Sequence, residues 1–228
     1  MTHRKARRPS AARATRTAVR WGMLTTAGLT TLATAGTARA AGGIPHDVAV
    51  VVDQARTTAT RVHPVAYQDS FTVHQLGTLI SANADNRAVS SSVACSPHDP
   101  CRSIALSFQI VTTAGPNIRL HATNIGRATN VHCPGCETFA GAYQFVVSTP
   151  GAFTLDPQTR RELSLISAKV YALGHSGRSV PDIRQRADAL AAHVVACLHD
   201  AVAAAPLARA VDPLRQFQPT VTMHRHVS

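Results

Sequence analysis

Four of the five cysteines fall into two close pairs, Cys95 with Cys101 and Cys133 with Cys136, and these are the residues of the chain best suited to chemistry. Such pairs support three kinds of it. They can close turns as disulfides, hold zinc between two tips with four thiolates, or cycle as a redox dithiol. A redox dithiol of the thioredoxin type places its first cysteine at a helix N-terminus, which lowers the thiol pKa. Cys133-Pro134-Gly135-Cys136 lies between two strand-like stretches, so that activation is missing. A zinc site needs both tips on one ion and thiols that have escaped oxidation. The adopted reading is two disulfides within turns, Cys95–Cys101 and Cys133–Cys136. Zinc, pairing across the turns and a catalytic dithiol stand as alternatives. In the chain-entropy model, closing a four-residue loop stabilises by about 2 kcal/mol.

The stretches that carry the pairs are copies of one another. From Cys101 and from Cys136 onward the offset is a constant 35 residues, with Phe108 matching Tyr143, Gln109 matching Gln144 and Val111 matching Val146. Both copies alternate with the period of two of a half-buried strand. Ile104, Leu106, Phe108 and Ile110 share one face, and Ser103, Ala105, Ser107 and Gln109 the other. Phe139, Tyr143, Phe145 and Val147 repeat the apolar face. The small polar face, which includes Thr138 and Gln144, is suited to a strand edge of a partner or to cover within the fold.

Two helices are expected after the copies. Asp156-Pro157 supplies an N-cap acceptor and a proline at the first helical position. Leu163, Ile166, Val170 and Leu173 follow at helical spacing, and Gly174 is a C-terminal stop signal. Ser179 caps the second helix with Asp182 three residues on, and Ile183, Ala187, Leu190, Val194, Cys197 and Ala201 form its seam. The fold class expected is therefore α+β: an antiparallel meander sheet of two cysteine-bearing hairpin repeats (83–113 and 118–149), covered by a C-terminal αα-hairpin (156–174 and 180–205). The α+β domain spans 67–205. Residues 41–66 read as a transitional segment and 206–228 as a disordered tail.

Other motifs are sparse. The chain contains no H-E-x-x-H, no G-x-S-x-G and no phosphate-binding glycine loop. Twelve histidines are scattered, with His193 four residues from Cys197 and His224 and His226 near the end. Cys197 on an apolar seam reads as a small buried hydrophobe, with an intermolecular bridge as the alternative. No catalytic, metal or cofactor residues are assigned.

The net charge of +11 is concentrated at the start of the chain. Eight basic residues and no acidic ones lie in residues 1–40, so the rest carries only about +3 and lacks a polyanion-binding footprint. Residues 1–40 read as a signal peptide: a basic stretch to Arg20, a short apolar run from Trp21, and Ala38-Arg39-Ala40 before the cut. The mature chain is expected to begin at Ala41, outside the cytoplasm, where paired cysteines oxidise.

The stretches Cys101–Val111, Cys133–Cys136 and Glu137–Val147, with the helices that follow, resemble an uncharacterised extracellular cysteine-hairpin region. That region occurs in actinobacterial proteins named as peptide zinc metalloproteases. The resemblance spans roughly residues 67–204, and the protease part is absent here. The first pair also departs from the C-x-x-C of that region. The resemblance implies an extracellular setting and a fold, and no activity. The expected function is a secreted, non-enzymatic binding or scaffold module of the cell envelope. Its partner would be an envelope or secreted protein, with no nucleic acid and no membrane span after the leader. The alternative is a secreted redox or zinc-binding protein using the two cysteine pairs.

Overall fold

A computed structural model describes residues 48–115, 118–205 and 218–228. The expected leader and the cleavage point before Ala41 lie outside the described residues.

Six strands of 13 or 14 residues alternate between two sheets. Strands β1 (Val48–Thr60), β3 (Ser81–Val93) and β5 (Arg119–Val131) form sheet A in the order β1-β3-β5. Strands β2 (Val65–Thr78), β4 (Arg102–Ala114) and β6 (Glu137–Thr149) form sheet B, to which β7 (Thr220–Val227) adds at the β6 edge. Every neighbour in sheet A is parallel, as are β2-β4 and β4-β6, whereas β7 runs antiparallel to β6. The chain is thus a solenoid of three two-stranded coils.

This overturns the expected antiparallel meander of cysteine hairpins. The two arms of each cysteine unit do not pair with one another. They arch from sheet A to sheet B, and each arm pairs with its own copy one coil away. The 35-residue offset is the period of the stack: Arg102 lies opposite Glu137, Phe108 opposite Tyr143 and Gln109 opposite Gln144. The physical reason lies in the small face of each arm. Ala and Ser on facing strands let two sheets close on each other, and stacking copies in register sets like on like. A third coil without cysteines precedes the other two. It consists of β1, inside the segment read as transitional, and β2, at the start of the expected α+β domain.

The layers follow from the alternation. Between the sheets lie Ala55, Ala88, Ala105, Ala140 and Ala142 with Thr57, Ser90, Ser103, Ser107, Asn86, Gln109 and Gln144, all buried. The other face of sheet B carries Phe71, Phe108 and Tyr143 as a stacked row, with centroids 5.8 and 4.5 Å apart, beside Ile104, Leu106, Ile110, Phe139 and Phe145. Two helices cover that face, α1 (Pro157–Gly174) and α2 (Val180–Ala204). Asp156 accepts hydrogen bonds from the Gln158 and Thr159 amides, and Ser179 accepts one from Asp182. Tyr67 packs against Gly174, where any side chain would overlap its ring. By length and composition α2 could cross a membrane, but its seam of Ile183, Ala187, Ala191, Val194 and Leu198 is buried in this core.

Residues 220–227, read from sequence as part of a tail, form β7. Arg225 forks onto both carboxylate oxygens of Asp188 at 2.6 and 2.9 Å, and Tyr143 donates to the same carboxylate at 2.8 Å. Gly126 allows the close approach of β7, because a Cβ there would run into the His226 carbonyl.

Candidate functional site

The three turns joining sheet A to sheet B lie one above another at one end of the stack. The strand after each begins in register, with Val65 opposite Arg102 and Arg102 opposite Glu137. The Arg102 amide donates to Pro64 O at 2.7 Å and the Glu137 amide to Cys101 O at 2.9 Å. Pro64, Cys101 and Cys136 therefore occupy equivalent places. Ala94 and His132 both take left-handed backbone angles, φ 57° and 49°, one residue before Cys95 and Cys133. These matched bends turn both cysteines inward.

Cys95 and Cys101 are at disulfide distance, as are Cys133 and Cys136. Stacking also unites the two pairs, since all four Sγ atoms lie within 4.8 Å of one another. Cys95, Cys101 and Cys133 are buried with Ala59, and Ala66 and Cys136 pack against them. The Cys101 amide donates to Cys136 Sγ at 3.1 Å. Sequence reasoning named these four residues, favoured a disulfide within each turn, and kept a zinc ion shared by both tips and pairing across the turns as alternatives. Their convergence follows from the parallel register, which it did not foresee.

Cys197 stands apart, buried on the α2 seam and unpaired among the described residues. Burial, reinforced by the neighbouring Glu162 carboxylate, pushes its thiol up to about 12. His193 does not join it and contacts Glu162 at 3.0 Å. His224 and His226 sit on exposed β7.

A polar cluster missed by sequence reasoning lies between the sheets. Asp53 of β1 receives three contacts on one oxygen: Gln109 Nε2 at 2.6 Å, Thr72 Oγ1 at 2.7 Å and His74 Nε2 at 2.7 Å. Gln109 also donates to Asp85 O and accepts from Gln144, which donates onward to Ala84 O. Asn86 donates to Asn124 and Tyr143 O, and Ser90 and Thr57 both bond Ser103. Burial works to raise the Asp53 carboxyl, but the hydrogen bonds of His74 and Thr72, the His74 charge and Gln109 outweigh it, leaving the pKa lowered.

An Asp–His contact invites comparison with the base of a hydrolytic triad. Here the Thr72 hydroxyl is turned onto the aspartate, so it is not presented to His74 as a nucleophile. The cluster is arranged to satisfy a buried carboxylate. The sequence signal that could have pointed to it is the matched pair Gln109 and Gln144, on a face otherwise limited to small residues.

No protein family, curated protein or solved structure matches this chain.

Proposed function

We propose that this chain is a secreted, non-catalytic binding or scaffold module of the cell envelope, and that the outer face of sheet A is its recognition surface. The observation that carries the reading is the distribution of covered faces. Sheet B is covered on one side by helices and on the other by sheet A, while among the described residues nothing covers the outer face of sheet A. Parallel sheets ordinarily have both faces covered. Here Val48, Val50 and Val52 are 60–67% exposed along one strand. Beside them the register sets Val50, Asn83 and His121 in one row, and Arg56, Val89 and Arg127 in another. The result is a broad ribbed surface of mixed apolar, polar and charged side chains on a stiff support, with Asp85 paired to Arg87. The polar residues that could do chemistry are instead engaged with one another inside the stack. The extracellular setting rests on the leader and on the paired cysteines, and the low charge beyond the leader argues for a protein partner.

The test is capture from culture supernatant and cell wall by the exported chain, compared with Val50→Glu and His121→Glu variants whose circular dichroism matches the parent. A partner bound by the parent and lost by both variants supports the reading. A partner retained by both refutes the assignment of this face.

A further inference from the structure

We propose that the stacked cysteine turns form a redox-gated site for one zinc ion, held by Cys95, Cys101, Cys133 and Cys136. The first coil lacks such a cysteine pair. Its turn occupies the equivalent position without cysteines, with Val62 and Pro64, and is closed by a Thr60 amide to His63 O bond of 2.9 Å. A turn of this stack therefore closes without a clamp. What the later two turns share is four sulfurs in one place. Tetrahedral zinc with bonds of about 2.3 Å places its thiolates about 3.8 Å apart. The four Sγ atoms already lie within 4.8 Å of one another, so a small relaxation once the S–S bonds open is enough. They come from two turns with matched left-handed bends at Ala94 and His132. The Cys101 amide points at Cys136 Sγ, the kind of hydrogen bond that orients and stabilises a thiolate ligand. Three of the four sulfurs belong to buried residues, which suits a closed structural site.

The two states interconvert by balanced steps. Opening Cys95–Cys101 and Cys133–Cys136 takes four electrons and four protons from two molecules of a dithiol reductant, each of which becomes a disulfide. One Zn²⁺ then binds four thiolates, and the four thiol protons pass to solvent. A disulfide-class oxidant reverses the sequence and expels the ion.

The experiment uses the full chain, reduced with a phosphine and titrated with Zn²⁺ against a chromophoric chelator, with Co²⁺ as a spectroscopic probe. The expected result is one equivalent per chain, the intense visible bands of tetrahedral thiolate cobalt, and protection of four thiols from alkylation. Cys101→Ser should weaken binding by roughly a hundredfold or more, because it removes one of four ligands that together supply the binding energy. Cys197→Ala should bind as the parent does. Folding is followed in parallel by circular dichroism of the reduced chain with and without the ion. Binding that survives alkylation, binding unchanged in Cys101→Ser, or a reduced chain in which zinc protects no thiol would each overturn the proposal. So would a reduced chain that loses its sheet signal and does not regain it with zinc.

Discussion

Replacing Gln109 by Leu tests whether the polar layer between the sheets holds the stack together. The side chain is fully buried, and Leu nearly conserves its volume, so the change removes hydrogen bonds without opening a large cavity. Three bonds go: 2.6 Å to Asp53 Oδ2, 3.0 Å to Asp85 O and 2.7 Å from Gln144 Nε2. The bond to the carboxylate contributes about 1.5–3 kcal/mol, and the neutral bond to Asp85 O about 1. Gln144 keeps Ala84 O and Thr123 O as acceptors, so its loss is small. The expected destabilisation at pH 7 is roughly 2.5–4 kcal/mol, a large share of the 5–15 typical of a domain. It is measured by urea unfolding followed by far-ultraviolet circular dichroism. The pH dependence supplies a second check. The Asp53 pKa is lowered in the folded chain, so its stabilising contribution is present above the unfolded value near 3.9 and is lost as pH falls through the folded value. Without Gln109 that lowering shrinks, so the gap between parent and variant should be widest at neutral pH and narrow in acid. A cost below about 1 kcal/mol at pH 7, or a cost unchanged by acid, would refute the reasoning.

Phe108→Ala should cost about 3–5 kcal/mol in the same unfolding assay, because Phe108 stacks on both Phe71 and Tyr143 beneath the helices. In the oxidised chain, replacing Cys133 and Cys136 together by Ser should lower stability by about 2 kcal/mol and leave the sheet signal intact, whereas replacing either alone should be worse through mispairing of the free thiol. Gly126→Ala should displace β7, seen as faster amide exchange over residues 220–227 with the helices still protected; unchanged exchange there would show that β7 does not depend on this contact. Cys197 should resist alkylation in the native protein and react on unfolding, because burial both hides the thiol and pushes it up to about 12.

The sequence made the faces legible and left the pairing direction hidden. Alternation at Ile104, Leu106, Phe108 and Ile110 assigns an apolar face that helices cover, and the caps at Asp156 and Ser179 locate those helices. A period of two is the same for parallel and antiparallel neighbours, however, so it cannot say whether an arm pairs with the next arm or with its own copy. The constant offset was the better guide, because identical strands stacked in register match Phe108 with Tyr143 and Gln109 with Gln144. The first unit was not recognised as a coil because it has no cysteines, and the buried residues of β1 are Asp53, Ala55, Thr57 and Ala59, too small or too polar to look like a core. Strand β7 escaped because Thr-Val-Thr-Met-His-Arg-His-Val shows little apolar periodicity. It is held by backbone pairing and by Arg225 on Asp188, which only the assembled fold brings together. At the cysteine site the four residues were legible, and their convergence was only one of several open alternatives, since it depends on the stacking direction.

The helical cover limits how long such a stack can grow. Strands lie about 4.8 Å apart, so the four of sheet B present a face about 19 Å wide. Two helices side by side, each about 10 Å across, match that width. They divide it, α1 lying over β2 and β4 and α2 over β6 and β7. Another 35-residue coil would lengthen sheet A without difficulty, because its small inner face needs only a second small face opposite. In sheet B the same insertion would bring a further row of large apolar side chains with no helix above it. The α1–α2 pair therefore acts as a ruler for the solenoid. A lineage that gained a coil would have to gain a third helix or replace the Phe–Phe–Tyr row with residues that tolerate water.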